Sequence, residues 1–170
     1  MVSSLGGMNE PEWNAGEAEI LVFAIDRSRA TFAWKTGGLD AEALNREFPP
    51  SAMTLGGLIK HLTTVENKYT FAFFTQGEGA IPAEIDWGWE SARHDPPEQI
   101  YSRWHEAVEN NRTALNRLLE SGDPGQLTPY GPNLRRALMD MHDEYARHVG
   151  HADLFREAVD GLTGEDPPDE

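Results

Sequence analysis

The sequence of 170 residues contains no cysteine. This excludes a disulfide framework, a thiolate metal site and a cysteine nucleophile, and it fits a reducing compartment. Any thiol chemistry has to use a thiol supplied from outside. Basic residues are scarce: 14 Lys and Arg stand against 29 Asp and Glu, a formal charge of −15. Such a surface repels phosphate backbones and anionic lipid, so neither nucleic acid nor a membrane is an expected partner. Long apolar runs are missing too. The longest, Ile20 to Ile25, is far too short to span a bilayer. The opening MVSSLGGMNEPEW has no basic region leading into an apolar stretch, so no secretory signal is read there and the cytoplasm is the expected location. No segment alternates polar and apolar residues with a period of two, so no sheet is expected.

What the chain does have is helical periodicity over four long segments, with an apolar content of 39% that suits a narrow core and a strongly polar surface. The first runs from about Gly16 to Thr36, with Ile20, Leu21, Ala24, Ile25, Ala30, Phe32 and Ala33 forming one broad face, and it stops at Gly37-Gly38, where glycine supplies a left-handed cap. A short helix is expected from Asp40 to Glu47, before Pro49-Pro50. The second long helix starts at Thr54, a good N-cap, and turns Leu55, Leu58, Ile59, Leu62, Val65, Tyr69, Ala72 and Phe73 inward. Gly56-Gly57 in its first turn costs helix stability, which points to a close backbone approach. Residues 77 to 96 form a long connection holding Trp87 and Trp89; with Trp104 these either wall a pocket or fill the core. The third helix begins at Pro97, a residue tolerated at a first helical position, and ends at Ser121-Gly122. The fourth runs from about Pro132 to Val159, with Gly161 as its stop. The expected organisation is a loose leader over residues 1–14, one helical domain over 15–163, and an acidic, proline-containing disordered tail over 164–170. The fold class is all-α, a four-helix bundle.

Polar groups on the apolar stripes carry the chemical information, because burying them needs a reason. His61 lies three residues after Leu58 and four before Val65. On the fourth helix Glu144 and His148 are four apart and share a face, and His151 follows three residues later on the same edge, beside Met141 and Phe155. Two imidazoles and one carboxylate suit Zn²⁺, Ni²⁺, Fe²⁺ or Mn²⁺, and three protein ligands leave positions open for substrate. A buried histidine–glutamate hydrogen bond without metal is the other reading of the same residues. His151 is expected beside the ligands, orienting Glu144, with a fourth-ligand role as the alternative. His94 and His105 are expected to face solvent, and His142 lies on the opposite flank from Glu144.

The stretches TLGGLIKHLTTVENKY (Thr54 to Tyr69) and MHDEYARHVGHADLFREAVDGLTG (Met141 to Gly164) resemble the DinB-like superfamily, most closely its branch of mycothiol-dependent enzymes, and DRSRATFAWKTGGLDAEAL resembles that branch too. The similarity covers nearly all of residues 16 to 164. It implies a bundle of up-down-down-up topology and a metal triad whose helix-two histidine falls on His61 and whose helix-four pair falls on Glu144 and His148. It also admits a homodimer. Relatives use low-molecular-weight thiols such as mycothiol or bacillithiol. One type isomerises maleylpyruvate with the help of an additional C-terminal domain, for which this sequence has no counterpart.

The leading expectation is a metal-dependent thiol S-transferase. A mycothiol-like co-substrate would displace water at the open metal position, and its thiolate, the nucleophilic form, would attack an electrophilic substrate in a detoxification reaction. Zinc is the first choice of metal, with nickel or iron as alternatives. A second expectation is a metal-assisted hydrolase with a metal-bound water, in which Glu144 acts as a base rather than a ligand. A third is a non-catalytic stress-response or ligand-binding bundle.

Overall fold

The computed structural model describes residues 10–75, 89–129 and 131–164. The described residues are mostly helical and contain no strand beyond two isolated bridges, Phe48 with Ser51 and Leu127 with Asn133. The helices are α1 (Glu17–Thr36), the single turn α2 (Ala41–Leu44), α3 (Leu55–Asn67), α4 (Pro97–Leu119) and α5 (Leu134–Asp160). A π-helical segment, Lys68–Phe74, continues α3, and a 3₁₀ turn, Trp89–His94, precedes α4. Trp87, the side chain of Trp89, residues 1–9 of the expected leader and most of the expected tail lie outside the described residues. No helix among the described residues is long and apolar enough to cross a membrane.

Local chemistry explains where the helices begin and end. Thr54 accepts a hydrogen bond from the Gly57 amide at 3.0 Å, and Asn133 accepts one from the Arg136 amide at 2.9 Å, so both side chains satisfy donors that the first turn leaves over. Pro97 opens α4. Gly161 closes α5 with φ 81°, a conformation costly for any residue with a Cβ. α1 stops at Gly37-Gly38 as expected: Gly37 has φ −71° and is extended, and the left-handed residue is Gly38. Gly37 is required there for space, since a Cβ would lie 2.7 Å from the Ala33 carbonyl oxygen. Arg156 of α5 completes this end by donating to the Lys35 and Gly37 carbonyls at 3.2 and 2.7 Å, placing a cation at a helix C-terminus.

α1 packs along α5, and α3 packs against both α4 and α5. On α4 Ile100, Trp104, Ala107, Val108, Ala114 and Leu115, and on α5 Leu134, Ala137, Leu138, Met141, Tyr145, Ala152 and Phe155, are buried at helical spacing, while Leu118, Leu119, Val149 and Val159 are half-buried. The face of α1 is rotated from expectation. Ile20 is 46% exposed, and the buried line runs through Ile25, Arg29, Phe32 and Thr36, at helical spacing. Apolar residues alone did not mark it because one of its members is an arginine.

α3 is enclosed on nearly every side from Leu62 to Asn67. Gly56 shows the close approach expected of it, since a Cβ there would sit 3.2 Å from both the Leu44 carbonyl oxygen and the Ala92 Cβ. The π-helical continuation moves the apolar stripe. In a 3.6-residue period Ala72 and Phe73 follow Tyr69 inward, but here Phe74 is buried at 4% exposure while Ala72 and Phe73 are half-buried. The wider turn adds about one residue per turn and shifts the phase of everything after Lys68.

Candidate metal centre

α3 and α5 bring His61, Glu144 and His148 together, with one donor atom from each within 4.8 Å of the others. Glu144 Oε2 lies 3.3 Å from His61 Nε2 and 3.4 Å from His148 Nε2. The two rings meet edge to face with centroids 4.5 Å apart. The side chains of His61 and Glu144 are 31% and 30% exposed, whereas that of His148 is 8% exposed. The cluster is therefore open on the His61–Glu144 side and closed behind His148. His61 stands at the rim of the core rather than inside it.

The donor set fits a small divalent cation. Two donors each about 2.0–2.1 Å from a tetrahedral ion are separated by about 3.3–3.4 Å, which matches both spacings from Glu144 Oε2. Burial pushes the His148 imidazole down to about 4, with the neighbouring His61 acting in the same direction. At neutral pH the ring is uncharged, the form that ligates a metal.

His151 contacts His148, with the two Nδ1 atoms 3.3 Å apart, and no described contact joins it to Glu144. His151 thus touches the ring nitrogen of His148 other than the one that faces Glu144. The group that faces Glu144 from outside is Arg147, whose Nη1 lies 3.6 Å from Oε1 while its Nη2 pairs with Asp143 at 2.6 Å. Sequence reading passed over Arg147 because an exposed arginine on a charged helix face carries no signal of its own. His94 and His105 are exposed, and His142 is outside the cluster. Trp104 is 3% exposed and donates to the Tyr145 hydroxyl at 3.0 Å, so it belongs to the core rather than to a pocket wall. Tyr69, above His61 on the same helix, remains a neutral phenol: burial raises it to about 12, and Asp140 and Glu144 add to the effect.

A second polar group lies behind the cluster. Arg29, Glu66, Asn111 and Tyr145 come from α1, α3, α4 and α5, and all are at most 2% exposed. Arg29 clasps Glu66 through Nε at 2.8 Å and Nη2 at 2.7 Å, and Nη2 also reaches Asn111 Oδ1 at 2.9 Å. Tyr145 donates to Glu66 Oε1 at 2.6 Å. The sequence held a signal for this group, since Glu66 falls between Val65 and Tyr69 on an apolar helix, and Arg29 falls between Ile25 and Phe32.

No curated protein matches the chain. The family model described as Mycothiol-S-transferase matches residues 20–161, a span that holds the whole cluster and all four long helices except the first turn of α1. By this match the chain belongs to the mycothiol-S-transferase family, within the DinB-like, mycothiol-related group.

Proposed function

We propose that the chain is a metal-dependent thiol S-transferase in which His61, Glu144 and His148 hold one divalent cation. Zinc suits two imidazoles and a carboxylate best, and nickel or iron suit them next. The observation that carries this reading is the convergence of the three donors within 4.8 Å, with both spacings from Glu144 Oε2 those a tetrahedral ion requires, in a chain of this family. A cation held there would stabilise the thiolate of a mycothiol-like co-substrate against its protonated form.

The residues of the chain supply position and access. With the His148 proton on Nδ1 and donated to His151, the Nε2 lone pair is turned to the cluster. Arg147 draws Glu144 Oε1 outward, which leaves Oε2 facing the two imidazoles. The exposed edge of His61 and Glu144 is the side from which thiol and electrophile enter. The chain has no cysteine to compete as nucleophile or metal ligand. We place the active unit in one helical domain over residues 15–163 and in the cytoplasm. Its long helices run up, down, down and up. The pairs Glu17–Arg135 and Lys35–Asp153 support a parallel α1 and α5, while Thr36–Tyr101 and Asp26–Arg112 support an antiparallel α1 and α4. His61–His148 and Glu66–Tyr145 support an antiparallel α3 and α5.

The test is to load the protein separately with zinc, nickel and iron and incubate it with mycothiol and a chromogenic electrophile. Conjugation above the uncatalysed rate is expected with at least one metal. Background rates with all three would sink the reading, and turnover of ester or amide substrates without thiol would replace it with hydrolysis.

A further inference from the structure

We propose that the buried Arg29–Glu66–Tyr145 network is a register lock for the candidate metal centre, with Glu66 and Tyr145 as positioning residues. The inference rests on the metal reading above. It starts from an energetic oddity. A fully enclosed ion pair gains little over apolar side chains of the same volume, so its presence calls for a role other than bulk stability.

The geometry supplies that role. The facing stripes of α3 and α5 are built largely from interchangeable aliphatics: Leu55, Leu58, Ile59 and Leu62 on one, Leu134, Leu138 and Met141 on the other. Stripes of this kind discriminate weakly between registers one helical turn apart. One turn is a displacement of about 5.4 Å, whereas the donor atoms of the cluster lie within 4.8 Å of one another. A single-turn slip would therefore separate His61 from Glu144 and His148.

The network forbids the slip. Glu66 follows His61 on α3 by five residues, and Tyr145 follows Glu144 on α5 by one. The Tyr145 hydroxyl donates to Glu66 Oε1 at 2.6 Å and accepts from Trp104 Nε1 at 3.0 Å, which fixes the direction of the chain of bonds. Arg29 donates to both oxygens of Glu66, and Asn111 ties the group to Thr70 at 3.0 Å. Thr70 donates back to the Glu66 carbonyl at 2.8 Å. Any other register would leave a charged carboxylate buried without its partners. The same bond that joins α3 to α5 thus sets the His61–Glu144 separation.

The experiment compares cobalt(II) binding, by competition with a chelator and by the visible absorption of the bound ion, in the wild type, Tyr145→Phe and Leu115→Ala. Leu115 is a buried α4 residue outside both networks and serves as a destabilised control. Tyr145→Phe is expected to keep its helical circular dichroism, bind cobalt about tenfold or more weakly, and change the absorption bands. Leu115→Ala should lose thermal stability and keep wild-type affinity and bands. Should Tyr145→Phe not fold, Trp104→Phe removes only the donor that orients the hydroxyl, and it should shift affinity in the same direction. Wild-type affinity and spectrum in whichever of these variants folds overturn the inference alone, as does an equal loss in Leu115→Ala. A wild type that binds no cobalt overturns the metal reading and the inference with it.

Discussion

The two oxygens of Glu144 face different neighbours, Oε2 the imidazoles of His61 and His148 and Oε1 the guanidinium of Arg147. If Oε2 is a ligand, Glu144→Gln weakens zinc binding by more than the about 10- to 100-fold that loss of an outer partner costs. If Glu144 acts only as a base, the variant keeps its zinc and loses turnover. Chelator competition with elemental analysis separates the two, and the first result is expected. His151→Ala should retain one equivalent of zinc at about 10- to 100-fold lower affinity, because His148 loses the group that holds its ring. The low proton affinity of His148 has its own consequence in the metal-free protein. An ordinary histidine titrates near 6.5, so below that pH the unfolded chain takes up a proton that the folded ring refuses until about 4. Stability is then intact above about pH 6.5 and falls as pH drops toward 4, by at most about 3 kcal/mol from this group. Urea midpoints of the metal-free protein across this range should show the slope, and His148→Gln should flatten it.

Elements are positioned by their ends. Thr54 holds the first turn of α3, the turn preceding His61, through one side-chain bond to the Gly57 amide. Thr54→Ala should cost about 1 kcal/mol, read as a lower denaturation midpoint with an unchanged slope. Gly161 carries the left-handed end of α5 at φ 81°, and Gly161→Ala should also cost about 1 kcal/mol. The π-helical segment is the one place where element type changes the pattern of burial. It puts Phe74 inward in place of Phe73, and Phe73 instead lies against Gly131, where a Cβ would approach its ring to 2.5 Å. This fit needs the wider turn, because a continuous α-helix would present a different aromatic to the loop before α5.

At the scale of the whole molecule the buried network is the only described polar group to which all four long helices contribute side chains. Burial by itself disfavours the Arg29 charge, and Glu66 more than restores it, so Arg29 stays charged in the folded protein. Glu66→Ala would take the bidentate partner from a buried guanidinium, leaving it Asp26 and Asn111, and is expected to cost about 3 kcal/mol, a loss that calorimetry would register as a large fall in Tm. The surface acts on another scale. With a net charge of −15 the exterior is self-repulsive, which favours solubility and disfavours polyanionic partners without bearing on the fold.

The starts of α3 and α4 and the end of α5 were legible in the sequence because their signals are local: Thr54, Pro97 and Gly161 act on backbone groups within a turn of themselves. The donors His61, Glu144 and His148 were legible for a related reason, as polar residues on apolar stripes, two of them at one-turn spacing. The partners of Arg29 and Glu66, the group that His151 touches, the atoms crowding Gly56 and the phase shift after Lys68 were not. Arg29 meets Glu66 across 37 positions and His61 meets Glu144 across 83. Which residues meet over such separations depends on the register and rotation of packed helices, and helical periodicity is blind to register because it repeats every turn. The sequence by itself determined the helical class, where most of the long helices start or stop, and which three polar residues were candidates to stand together. The tertiary structure alone decided how far apart those side chains stand and which charges meet in the core behind them.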